Sequence, residues 1–217
     1  MAVDTKLTKT PYRKEKYTEK QLTELARCAN DPKYFMREHC YIQHPTKGRL
    51  KFDLYDFQDE LVDVYHNNRY SISMLARQMG KSTCAAGYLL WYAMFNPDQT
   101  ILVAAHKYAG ASEIMQRVRF AYETLPDYIR AGVTSYNKGS LEFDNGSRII
   151  AQSTTENTGR GLSISLVYLD EFAFVRPNIA KEFWTSLSPT LATGGKCIVT
   201  STPNSDDDTF AQIWHQA

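Results

Sequence analysis

The stretch Tyr70-Ser-Ile-Ser-Met-Leu-Ala-Arg-Gln-Met-Gly-Lys-Ser-Thr83 constrains this chain more than any other. A β-prone run from Tyr70 to Ala76 enters a tight loop, and an apolar helix opens at Ser82, continuing through Cys84, Ala85, Ala86, Tyr88, Leu89, Leu90 and Tyr92. Strand, loop and helix with Gly80-Lys81-Ser82-Thr83 at the bend form the second half of a phosphate-binding loop. Gly80 has no Cβ and lets backbone approach a phosphate. Lys81 supplies a cation, and the Ser82 hydroxyl is a ligand for Mg²⁺. Amides at the helix N-terminus favour an anion. The full pattern asks for a glycine where this chain has Leu75, so the match is degenerate. An ordinary strand-to-helix turn is the competing explanation.

Two further strands carry matching chemistry. Leu166-Val-Tyr-Leu-Asp-Glu171 is an apolar run ending in two carboxylates, about ninety residues after Lys81. A buried strand delivers such acids to the C-terminal edge of a sheet, where α/β ligands sit. Asp170 would hold Mg²⁺, directly or through water, and Glu171 would polarise an attacking water as general base. Lys196-Cys-Ile-Val-Thr-Ser-Thr-Pro-Asn204 ends in hydroxyls at Thr200, Ser201 and Thr202, suited to a γ-phosphate or its attacking water; a hydroxyl-rich turn before Pro203 has the same spelling. Upstream, Gln58 follows Phe52-Asp-Leu-Tyr-Asp-Phe at the start of a helix to Asn67. Its amide can read an adenine edge while neighbouring aromatics pack on the ring, and a surface glutamine near a helix start fits equally well.

The remaining elements complete an α/β pattern. Short helices are expected over Gln21–Asn30 and Tyr34–Cys40, with a turn at Pro45–Arg49. Thr100–His106 reads as a strand buried on both faces. Ala111–Leu125 has the apolar stripe of an amphipathic helix, and Asn178–Leu191 is a further helix. Tyr136–Ser153 reads as a β-hairpin turning at Asn145-Gly146. Residues 1–20 are polar and basic (Lys6, Lys9, Arg13, Lys14, Lys16, Lys20) and read as disordered.

A formal charge of +1 over 217 residues gives no sign of a globally basic nucleic-acid binder. The apolar fraction of 43% supports a real core. Cys28, Cys40, Cys84 and Cys197 are scattered without metal or disulfide spacing, and Cys84 and Cys197 read as core residues. His39 and His44 lack a third ligand in the sequence pattern. The sequence shows neither a signal peptide nor an apolar run near ~18 residues, pointing to a soluble intracellular protein.

Taken together, Ala76-Arg-Gln-Met-Gly-Lys-Ser-Thr83, Phe52–Gln58, Leu166–Glu171 and Thr200–Asn204 resemble the large terminase subunit of tailed bacteriophages and herpesviruses. The loop resembles that family's variant Walker A motif, which accounts for Leu75. The other stretches resemble its adenine-binding segment, Walker B strand and coupling motif. The resemblance runs from about Tyr34 to Asn204. It implies a P-loop NTPase of the ASCE type: a mainly parallel central sheet flanked by helices, plus a β-hairpin insertion. The P-loop and Walker B strands are expected to be neighbours. It further implies a Mg²⁺-dependent ATPase that drives double-stranded DNA into a procapsid. Portal protein, small terminase subunit and like subunits in a ring would be partners in the host cytoplasm.

Under that resemblance Ala76, Gln78, Met79, Gly80, Lys81, Ser82 and Thr83 cradle ATP, with Gln58 and Thr200 to Thr202 around it. Ser82 and Asp170 hold the metal. Arg77 matches an arginine acting in cis on the γ-phosphate. Arg160, in Gly159-Arg-Gly161, resembles an arginine offered to a neighbouring subunit's ATP, although a loop arginine facing solvent or a carboxylate has the same spelling. Residues 1–33 are expected to be an extension and 34–217 the ATPase domain. Nothing in the sequence resembles the family's C-terminal nuclease, so DNA cutting is not expected. A P-loop helicase and a nucleotide-dependent assembly module that turns over little are the alternatives.

Overall fold

A computed structural model describes residues 7–159, 161–192 and 194–217. Chain order is α1 (Glu19–Asn30), α2 (Pro32–His39), β1 (Tyr41–His44), β2 (Gly48–Lys51), α3 (Asp56–Asn67), β3 (Tyr70–Met74), α4 (Lys81–Phe95), β4 (Thr100–Ala105) and α5 (Tyr108–Thr124). Then follow β5 (Val133–Tyr136), β6 (Ser140–Phe143), β7 (Arg148–Ser153), β8 (Leu166–Asp170), α6 (Pro177–Leu191), β9 (Lys196–Ser201) and α7 (Thr209–Gln216). A 3₁₀ turn at Phe172–Phe174 links β8 to α6.

One sheet has the order β3-β9-β8-β4-β7-β6-β5, and its first five strands run parallel. Side chains alternate across a strand, so β4, β8 and β9 each feed two cores. Ile101, Val103, Ala105, Leu166, Tyr168 and Ile198 join the cluster on the α3, α4 and α5 face. Leu102, Ala104, Val167, Leu169, Cys197 and Val199 join the cluster under α6 and α7. This double burial is why these strands read as unbroken apolar runs. Helix α4 is apolar around its whole circumference and is correspondingly enclosed. All four cysteines are buried as free thiols.

Several expectations change. The P-loop strand β3 and the acidic strand β8 are not neighbours; β9 lies between them and pairs with both. Sheet order follows from crossover connections, which local pattern does not encode. The ends of β3, β9 and β8 nevertheless share one edge of the sheet, since the three strands are parallel. The expected hairpin exists, with Ser140 opposite Ile150, but it is part of the main sheet: β7 pairs parallel with β4, and β5 extends the antiparallel side. A second, two-stranded sheet, β1–β2, brackets the turn at Pro45.

From Leu7 onward the N-terminal segment is not a frayed tail. Lys9 is buried, its Nζ donating to Glu15 (2.7 Å) and to the Asp127 carbonyl (3.1 Å), while Val133 N donates to Lys9 O. Thr18 and Gln21 form a reciprocal cap on α1. His39 lies 2.7 Å from Glu24, which also accepts from Tyr34, so the fold gives this histidine a partner that the sequence spacing did not suggest. The Glu24, Cys28 and His39 donor atoms lie within 4.8 Å of one another.

Candidate nucleotide-binding site

The loop after β3 is held from both sides. Leu75 N donates to Ser201 O (3.1 Å), fastening it to β9, and the Leu75 side chain packs against the core where the usual pattern has glycine. Gln78 and Gly80 turn the chain through left-handed conformations (φ 64° and 73°). A Cβ at position 80 would also stand 2.6 Å from Gln58 Nε2, so the Gln58 amide would have to shift. Helix α4 then begins, with Cys84 N donating to Gly80 O at 2.9 Å. Amides earlier than this bond have no acceptor within the helix.

Gln58 is buried beneath the loop. Its Nε2 donates to Met79 O (3.1 Å), and its Oε1 accepts from Tyr55 N (3.2 Å). In this structure the amide ties the start of α3 to the phosphate-binding loop. Tyr55 and Phe57 stack beside it with centroids 5.8 Å apart. They line a cavity of about 950 Å³ between the β1–β2 sheet and the loop, which also touches Lys81, Ser82, Thr83 and Arg117. Neither β1–β2 nor Arg117 had a local signal marking it as part of this cleft.

The acidic side closes on the same point. Lys81 is buried, and its Nζ donates to Glu171 Oε1. Glu171 adopts a left-handed backbone (φ 51°), costly for a glutamate. Its Oε2 is fixed by Thr202 N (2.9 Å), Thr202 Oγ1 (2.9 Å) and Ser201 Oγ (3.3 Å). Burial raises the Glu171 carboxyl, but the Lys81 ammonium and the Thr202 donors outweigh it and leave the group below its ordinary 4.5. Burial raises the Asp170 carboxyl above its usual 3.8, partly opposed by Lys81. Asp170 Oδ1 accepts from Tyr168 OH (3.2 Å) and Thr200 Oγ1 (3.3 Å).

The fold therefore gathers Gln58, Gly80, Lys81, Asp170, Glu171, Thr200, Ser201 and Thr202 around one sheet edge. Ser82 and Thr83 are half-buried on the first turn of α4, while Ala76, Arg77, Gln78 and Met79 are exposed along the loop. Among the described residues, no hydrogen bond or ion pair holds Arg77. Arg160 lies outside the described residues. The donor set suits a hard divalent cation: a buried carboxylate and a hydroxyl on a helix whose first amides can donate to phosphate. Tyr168, a polar-tipped ring in an aliphatic strand two residues before Asp170, touches this group of side chains without any local sequence signal marking it.

The family described as "Terminase large subunit, T4likevirus-type, N-terminal" matches residues 72–217. This chain belongs to that family. The fold agrees with solved terminases. The HK97 bacteriophage large terminase superposes with TM-score 0.70 at 23% identity, over 86% of this chain and 40% of that one. The Thermus phage P74-26 large terminase ATPase domain gives 0.59 at 22% identity, over 71% and 66%. The large terminase of a thermophilic bacteriophage, in complex with ADP, gives 0.61 at 11%, over 75% and 42%. The chain thus spans less than half the length of the HK97 protein and of the ADP-bound terminase. Among the described residues no helix is long and apolar enough to cross a membrane.

Proposed function

We propose that this terminase domain hydrolyses ATP to ADP and phosphate, with Mg²⁺, to move viral double-stranded DNA into a procapsid in the host cytoplasm. The supporting observation is the meeting of Lys81 with Glu171 at a left-handed, glycine-containing loop that opens helix α4. Lys81 exchanges Glu171 for phosphate oxygens when nucleotide enters. Gly80 and the opening amides of α4 hold the phosphates, and the cleft beside Tyr55 and Phe57 takes the base, with Gln58 at its floor. Ser82 and Asp170 would hold Mg²⁺, which would supply positive charge against the phosphate oxygens. Glu171, kept ionised and pinned by Thr202, orients the attacking water and takes its proton. Thr200, Ser201 and Thr202 report the state of the nucleotide along β9. Arg77 reaches the phosphoryl group in cis, and Arg160 serves a neighbouring subunit in a ring docked on the portal with the small subunit.

Phosphate release measured with and without double-stranded DNA tests this reading. Turnover that needs Mg²⁺, is lost in Glu171→Ala and leaves ATP binding intact supports it. Unchanged turnover in Glu171→Ala removes that residue from the mechanism. Robust strand separation by the domain would favour a helicase instead, and binding without turnover would favour an assembly module.

A further inference from the structure

Tyr168 is fully buried in β8, facing the α3–α4 side of the sheet, where neighbouring strand positions are aliphatic. A tyrosine there needs a partner for its hydroxyl. That hydroxyl lies 3.0 Å from Thr200 Oγ1 and 3.2 Å from Asp170 Oδ1, and Thr200 Oγ1 is itself 3.3 Å from the same carboxylate oxygen. Asp170 and Thr200 are register partners across β8 and β9. Three side chains on two strands thus form a closed triangle with no exposed member. With one proton on each hydroxyl, Tyr168 donates to Asp170 Oδ1 while the Thr200 hydroxyl, which also has the Leu169 carbonyl at 3.3 Å, donates to that carbonyl, to the Tyr168 oxygen or to the same carboxylate oxygen. Among the described residues Oδ2 has no such donor and is left for another ligand.

We propose that Tyr168 is a positioning residue for the metal-holding acid: its hydroxyl holds the Asp170 carboxylate through Oδ1, leaving Oδ2 free to serve a metal, and links that geometry to Thr200 on β9. This rests on the assignment of Asp170 as the Mg²⁺ ligand. A nearby hydroxyl supplies an internal comparison. Tyr65 OH is equally buried on the same face and has no hydrogen-bond partner among the described residues. Removing it deletes no bond, whereas removing the Tyr168 hydroxyl deletes a bond to a charged group.

The test is equilibrium binding of a fluorescent non-hydrolysable ATP analogue, titrated once with Mg²⁺ and once with EDTA, alongside the melting temperature. Tyr168→Phe keeps the ring and is expected to bind the analogue as the parent does in EDTA. Its Mg²⁺-dependent tightening should fall about tenfold or vanish, as expected for a lost bond to a carboxylate. Tyr65→Phe should match the parent in both titrations. Full Mg²⁺ tightening in Tyr168→Phe, with loss in Asp170→Asn, would overturn the role of Tyr168 while leaving Asp170 as the ligand. Full tightening in Asp170→Asn would overturn that assignment and this inference with it. Equal weakening of Tyr168→Phe in Mg²⁺ and EDTA, or an equal loss in Tyr65→Phe, would assign the effect to packing and also overturn it.

Discussion

Gly80→Ala should damage the loop through Gln58 as much as through the backbone. The left-handed conformation at φ 73° costs an alanine roughly 1 kcal/mol. The new methyl would stand 2.6 Å from Gln58 Nε2, and the buried amide has to move. It would surrender its bonds to Met79 O and Tyr55 N, each worth about 1 kcal/mol when buried partners are left behind. The sum is roughly 3 kcal/mol, a fall in Tm of about 6–12 °C for a chain of this size. Denaturant unfolding measures it. Gln58→Ala removes the same two bonds and vacates the space. The double variant should therefore be more stable than the two single losses predict, by about 1–2 kcal/mol in a double-mutant cycle. Strictly additive losses, or a Gly80→Ala cost under ~1 kcal/mol, would refute this coupling.

The other expectations concern charge at the sheet edge. Asp170 is raised by burial, so the folded state holds its proton longer than the unfolded chain, and its ionisation costs stability as pH rises past 3.8. Asp170→Asn should therefore melt higher than the parent at neutral pH without nucleotide, while losing Mg²⁺-dependent tightening; a lower melting point would contradict the burial argument. Glu171 has the opposite sign. Its lowered folded-state value contributes stability above 4.5 that is lost as pH falls through that lower value. Glu171→Gln should be less stable than the parent at neutral pH, and the gap should close in acid; a gap independent of pH would show that Lys81 pairing is not its source. Arg160→Ala should slow hydrolysis only at concentrations where subunits associate, read from turnover against protein concentration. An equal loss in a dilute monomer would point to a cis or structural role.

The strands that build the site were legible for a physical reason. Thr100–Ala105, Leu166–Asp170 and Lys196–Ser201 are buried on both faces, so they are spelled as unbroken apolar runs. Gly80, Lys81 and the Asp170–Glu171 pair stood out as candidates because a glycine-lysine bend before a helix and two acids ending an apolar run are local features, and the fold brings Lys81 onto Glu171. Strand order was not, because insertion of β9 between β3 and β8 depends on how α4 and α6 cross the sheet. The β1–β2 sheet was missed because its strands are short and partly exposed and lack a clear two-residue alternation. The placement of Lys9 depends on Glu15 and on Asp127, more than a hundred residues away. Gln58 was visible as a candidate, but its grip on Met79 O is a tertiary contact that local pattern does not carry.

The decisive measurement is a crystal structure with Mg²⁺ and a non-hydrolysable ATP analogue. The triphosphate is expected in the loop from Gln78 to Lys81, with Lys81 Nζ transferred from Glu171 to phosphate oxygens and the metal between Ser82 and Asp170. A nucleotide bound elsewhere, or a triphosphate in the loop with Lys81 still on Glu171 and Asp170 away from the metal, would contradict the assignment of this edge as the site of hydrolysis.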